Sequence, residues 1–217
     1  MSINIEKYKE IITTLKGKVS LVAVSKTKPI EDILVLYNEG QRDFGENYVQ
    51  ELVDKQAALP NDIRWHFIGH LQSNKIKYIA PFVHLIHGVD SLNLLAAINK
   101  EAKKNNRIID CLLQVHIATE ETKFGFDESE LANLKITEFE NVHIKGLMGM
   151  ASFSENMELV RSEFNQLKNL YDNPSIGNSN FSILSMGMSG DYTIAIDEGS
   201  NMVRIGSLLF GERNYTK

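Results

Sequence analysis

With 217 residues, 43% of them apolar and 24% charged, the chain has the make-up of a soluble globular protein with a sizeable core, and disorder is not indicated. A formal net charge of −5 argues against nucleic acid as the main partner, because no basic face offsets the acidic excess. The single cysteine, Cys111, excludes an internal disulfide.

The amino-terminal stretch MSINIEKYKEIITTLKGK has neither the apolar segment of a signal peptide nor a membrane-spanning length, so a cytoplasmic location without membrane association is expected. SLVAVSK (20–26) reads as the first strand and ends in Lys26, which strand alternation places on the same face as Val22 and Val24. Strand-end lysines commonly snorkel to water. In a semi-apolar setting the uncharged amine is favoured and can attack a carbonyl, as Schiff-base chemistry needs. Lys28, just before Pro29, is placed in a solvated loop. IEDILVLYNEG (30–40) has helical spacing and stops at Gly40. RDFGE (42–46), RWHFIG (64–69) and HLIHGVD (84–90) follow as strands. SLNLLAAINKEAKK (91–104) is a helix capped by Ser91, and its basic run KEAKKNNR (100–107) reads as a solvated helix end. In CLLQVHI (111–117), Cys111 sits among Ile108, Ile109, Leu112 and Leu113 as a small core residue. After Phe126, Asp127 reads as a cap; HIKGLMG (143–149), the helix NMELVRSEFNQLKNLYD (156–172), FSILSMG (181–187), the short helical DYTIAIDEG and MVRIG (202–206) complete the pattern.

Eight mostly apolar strands separated by helices imply a parallel sheet covered on both faces, either an open doubly wound sheet or a closed (β/α)8 barrel. The count of eight, and the lack of a glycine-rich dinucleotide fingerprint after the first strand, favour the barrel. No linker divides the chain, so one domain over residues 1–217 is expected. A barrel concentrates function at the carboxyl ends of its strands. That filter selects Lys26, Glu46, Asn47, His70, Asp90, His116, the SMGMSGD loop (185–191) and the RIGS segment (204–207). The last two loops follow strands 7 and 8, where barrels often bind phosphate, and they offer glycine N–H groups and serine hydroxyls. Each glycine alone would read as a tight turn. Arg204, inside the last strand, is either half of a structural ion pair or a fixed donor to a ligand atom. An amine, a phosphate cradle and an arginine aimed at a ring nitrogen together describe a site for pyridoxal 5′-phosphate (PLP), and closure makes strands 1 and 8 neighbours.

The motifs VAVSKTKP, FGENYVQE, WHFIGHLQSNK, GLMGM, LSMGMSGDY and GSNMVRIGSLLFGER, in this order over almost the whole chain, resemble the YggS/PROSC family of pyridoxal-phosphate-binding homeostasis proteins. The resemblance implies a barrel similar to the amino-terminal domain of alanine racemase, with PLP on Lys26. It further implies that Arg204 faces the pyridine nitrogen, that Ser189, Gly206 and Ser207 hold the phosphate, and that Asn47 lies near the ring. The implied role is vitamin B6 and amino-acid homeostasis without robust catalysis. Two positions depart from the family pattern: His116 stands where asparagine is common, and Ser207 where threonine is. His116 reads as a ring-stacking residue, a latent base or a satisfied core histidine, the last being favoured, and Ser207 still donates.

Three functions are then open. The first is a monomeric PLP carrier that serves apo PLP-dependent enzymes. The second is a PLP-dependent amino-acid racemase of the alanine racemase type. The third is a cofactor-free barrel enzyme that uses Lys26 as an aldolase would. Racemisation needs two acid-base groups, and the resembled racemase takes its second from a further domain that is not evident here. A guanidinium beside the pyridine nitrogen also opposes its protonation and weakens the ring as an electron sink. Both features favour the carrier.

Overall fold

Short runs in which β-branched and apolar side chains dominate form the strands, and the amphipathic stretches between them pack outside. The computed structural model describes residues 3–119, 124–176 and 181–211. In chain order the elements are α1 (Ile5–Leu15), β1 (Ser20–Val24), α2 (Ile30–Asn38), β2 (Asp43–Glu46), α3 (Val49–Ala58), β3 (Arg64–Phe67), α4 (Ile76–Ile79) and β4 (Leu85–Val89). There follow α5 (Leu92–Lys104), β5 (Ile109–Val115), α6 (Glu128–Ala132), β6 (Val142–Gly149), α7 (Met157–Asp172), β7 (Ile183–Ser185), α8 (Tyr192–Asp197), β8 (Met202–Ile205) and α9 (Ser207–Phe210). The strands close in sequence order, β1 through β8. Every neighbouring pair is parallel, and β8 returns to β1 with Val22 opposite Arg204. The expected (β/α)8 barrel is therefore the architecture found. The expected domain limits at residues 1 and 217, and the Glu212–Arg213 end of the last family motif, lie outside the described residues.

Several boundaries differ from the sequence pattern. β1 stops at Val24, so Lys26 belongs to the following turn, where Thr27 takes a left-handed φ of 62°. β5 begins at Ile109, ahead of the expected Cys111, and β7 shrinks to Ile183–Ser185 because Gly187 turns the chain with φ of 95°. The caps follow the sequence: Ser91 accepts from Leu94 N–H, and Asp127 with Glu130 forms a capping box. Cys111 is fully buried, and burial pushes its thiol pKa up.

Alternation along the strands divides the interior into two parts. Outward-facing Phe44, Trp65, Phe67 and Leu147 meet Leu52, Leu95, Phe164 and Leu167 of the helices. Inside the barrel lies a smaller apolar cluster of Val22, Leu85, Leu112, Met148 and Met202. Beside that cluster His66, His87, Ser185 and Arg204 are also buried, an unusual polar content for a barrel interior.

Gly146 sits where the β5–β6 register shifts, next to the Cys111/Leu112 step. Its φ is 151°, and a Cβ there would stand 1.8 Å from Ile183 O. No rotamer relieves a clash with backbone, so Gly146→Ala must displace β7. We expect a loss of about 3–5 kcal/mol, a drop of roughly 10 °C in the melting temperature of a chain this size. A melting curve within a few degrees of wild type would show that the barrel tolerates another register here.

Candidate functional site

The carboxyl ends of the strands surround a cavity of about 650 Å³. Lys26, Asn47, Ser189, Arg204, Gly206 and Ser207 all line it, so residues from both ends of the chain converge as barrel closure requires. Ser189 and Gly206 join the two glycine-bearing loops directly, with Gly206 N–H donating to Ser189 Oγ at 3.2 Å. Gly206 caps α9, and a Cβ at that position would press on Val24 at 3.2 Å, so the close approach of loop to strand depends on glycine. His70 and Asp90 line the same cavity, with His70 Nδ1 3.0 Å from Asp90 Oδ2 and the imidazole stacked on Phe124. His116 is half-buried and does not line the cavity.

Arg204 forms the floor. Its Nη1 donates to Ser185 O at 2.9 Å and Ser185 Oγ at 2.7 Å, and its Nη2 to Gly149 O at 3.1 Å. These partners are neutral, so the structural ion pair weighed from the sequence is not what holds it. Burial lowers the guanidinium pKa to about 10, with Asp191 acting in the other direction, and the group stays charged at neutral pH. Three of its five N–H groups are taken by these partners.

The turn that presents Lys26 is clamped from behind by a network that strand-end reasoning only touched. Glu46 points outward from β2 and is fully buried. Its Oε1 accepts from Ser25 Oγ at 2.6 Å and from Lys55 Nζ at 2.8 Å. Lys55, on α3, also donates to Ser25 O at 2.8 Å and to Glu51 Oε1 at 2.7 Å, and Glu51 Oε1 accepts Thr27 N–H at 2.6 Å. Both flanks of Lys26 are thus fixed by side chains on β2 and α3. Burial raises the Glu46 pKa to about 7 against the opposing pull of Lys55. Glu46 Oε2 is the buried side-chain atom left without a hydrogen bond among the described residues.

Lys28 is not left in solvent as its loop position implied. Its Nζ donates to Phe210 O at 2.7 Å and Gly211 O at 3.3 Å, so the ammonium closes the carboxyl end of α9 and ties the first turn to the last helix.

The amine of a lysine in the lining, hydroxyl and N–H donors on two adjoining loops, and a charged donor on the floor match the three functional groups of PLP: aldehyde, phosphate and ring nitrogen. The residues present therefore fit that cofactor.

Comparison with known proteins gives a consistent picture. Residues 2–214 match the family model described as alanine racemase, N-terminal domain. A protein of Aquifex aeolicus named pyridoxal phosphate homeostasis protein is 46% identical over 199 residues, 90% of this chain and 87% of that one. One of the same name from Synechocystis is 42% identical over 212 residues, covering 95% and 97%. Among solved structures, PipY of Synechococcus elongatus with PLP bound is 34% identical, covers 95% of this chain and 99% of its own, and superposes with a TM-score of 0.86. An alanine racemase of Clostridium difficile shares the fold at 14% identity and a TM-score of 0.76, and this chain covers 59% of it.

Proposed function

The chain belongs to the family of pyridoxal phosphate homeostasis proteins, and on that premise we propose that it holds PLP in the cavity at the barrel mouth and buffers or delivers it within the cell. The observation that carries this reading is the convergence of Lys26, Arg204 and the Ser189 and Gly206 loops on one cavity. The PLP-bound PipY structure supports it. PLP supplies an aldehyde that bonds reversibly to a primary amine, and Lys26 bears that amine. Ser189, Gly206 and Ser207 take the phosphate, and Asn47 contacts the ring. Arg204, charged and fixed, donates toward the ring nitrogen and opposes its protonation, which favours retention over carbanion chemistry. The protein acts as a cytoplasmic monomer and passes the cofactor to apo PLP-dependent enzymes.

The test is transfer. Protein loaded with PLP, mixed with an apo-enzyme, restores that enzyme's activity faster than the same total PLP released first into buffer. Restoration no faster than from free PLP removes the delivery role. One observation favours an amino-acid racemase as second reading: the His70–Asp90 pair in the same cavity offers Lys26 an acid-base counterpart. Sustained conversion of L- to D-amino acids by the loaded protein, lost in His70→Asn, would decide for it.

A further inference from the structure

A continuous line of side-chain hydrogen bonds runs through the barrel interior from the cavity floor to the opposite mouth. Arg204 Nη1 lies 2.7 Å from Ser185 Oγ, which lies 3.3 Å from His87 Nδ1. His87 Nε2 is 2.9 Å from His66 Nδ1, and His66 Nε2 is 2.9 Å from Asp43 Oδ1. Asp43 opens β2, at the amino end of the strands, where Arg64 holds both of its oxygens at 2.7 and 2.5 Å. The line therefore crosses the whole barrel, beside the apolar cluster of Val22, Leu85, Leu112, Met148 and Met202.

Its two ends fix its direction. Arg204 only donates. Asp43 only accepts: burial would raise its pKa, but the bonds from Arg64 and His66 outweigh burial and hold the carboxyl well below the usual range. His66 Nε2 must then carry its hydrogen. Burial, with the Arg204 charge acting the same way, keeps His87 uncharged. With one hydrogen on each ring, one assignment satisfies every atom. Arg204 donates to Ser185 Oγ, Ser185 O–H to His87 Nδ1, His87 Nε2–H to His66 Nδ1, and His66 Nε2–H to Asp43. Each hydrogen is used once.

We propose that Asp43, His66, His87 and Ser185 are positioning residues for Arg204, a one-directional hydrogen-bond chain that turns the lone pairs of Ser185 toward the guanidinium and so aims its remaining donors into the cavity. This deepens the PLP reading and rests on it. A barrel interior needs no such chain for stability, since well-packed apolar side chains fill it at no desolvation cost. A metal site is the competing use of this corner, because one ligand atom each from Asp43, His66 and His84 lies within 4.8 Å of the others. Arg64 already occupies both carboxylate oxygens, which favours the chain.

The test has an arm without cofactor and one with it. In the apo-protein, nitrogen NMR of the imidazoles should show His87 with hydrogen on Nε2 and bare Nδ1, and Asp43→Asn, whose amide also donates, should mix the two tautomers. With PLP added, Ser185→Ala should shift the visible band and speed cofactor dissociation about tenfold, the loss of one hydrogen bond to a charged group. Ser185→Thr, which keeps the hydroxyl, should restore both. Asp43→Asn, at the far mouth and nearly isosteric, should shift the same band. A single wild-type tautomer pattern kept in Asp43→Asn, or folded Ser185→Ala with an unchanged band and dissociation rate, overturns the chain. Failure of the wild type to bind PLP overturns the functional reading instead and leaves the NMR arm standing.

Discussion

Lys26→Ala is expected to abolish the visible absorption of the PLP-loaded protein and the adduct that borohydride fixes, and to weaken cofactor binding about 100-fold, close to 2.7 kcal/mol. On the proposed reading the loss is bounded, because the Ser189 and Gly206 loops and Arg204 would still hold the cofactor without a covalent bond. The informative comparison is Lys28→Ala, since both lysines line the cavity. Lys28 Nζ is committed to the carbonyls of Phe210 and Gly211, so its removal should loosen the joint between the first turn and α9 while the band and the adduct persist. Peptide mapping of the borohydride-treated protein reads the outcome directly. An adduct on Lys28, or a band that survives in Lys26→Ala, would move the covalent site and with it the functional reading.

Much of this arrangement was legible in the sequence because barrel strands are short, β-branched and separated by well-capped helices. Closure then brought VRIGS beside LVAVSK, and Val22 does pair with Arg204. The supporting groups were not legible for a different reason. In RWHF and LIHGV, alternation already turns Trp65 and Phe67 outward and His66 and His87 inward. What no single strand carries is the register that sets one ring 2.9 Å from the other, and isolated buried histidines read as satisfied core residues. Lys55 escaped for a related reason. On an amphipathic helix it looks like surface charge, and only the packing of α3 against β2 buries it on Glu46. The Lys28 misplacement has the same origin, because its partners lie at the other end of the chain.

The clamp behind Lys26 yields the second large effect, in Lys55→Met. Methionine fills the volume of the lysine stem but leaves Glu46 fully buried without its cation, and breaking a buried pair from one side costs about 3–5 kcal/mol. The sign with pH follows from Glu46. Its folded pKa of about 7 lies above the ordinary 4.5, so the stability tied to its proton is complete below 4.5 and is lost as pH rises through 7. Removing Lys55 takes away the influence that lowers this pKa, so the folded value climbs further and the loss extends to higher pH. Wild type and variant should therefore differ least near pH 5, where Glu46 is protonated in both, and most near pH 8. Thermal melts across that range should show the gap widening to roughly 10 °C or more. The double variant Glu46→Leu with Lys55→Met removes the carboxyl itself and should recover most of the pH-dependent part. PLP release should accelerate with pH in the single variant, because the clamp on Ser25 and Thr27 is what fixes the turn carrying Lys26. A gap of equal size at pH 5 and pH 8 would mean that Lys55 acts through packing alone and that Glu46 does not sense it.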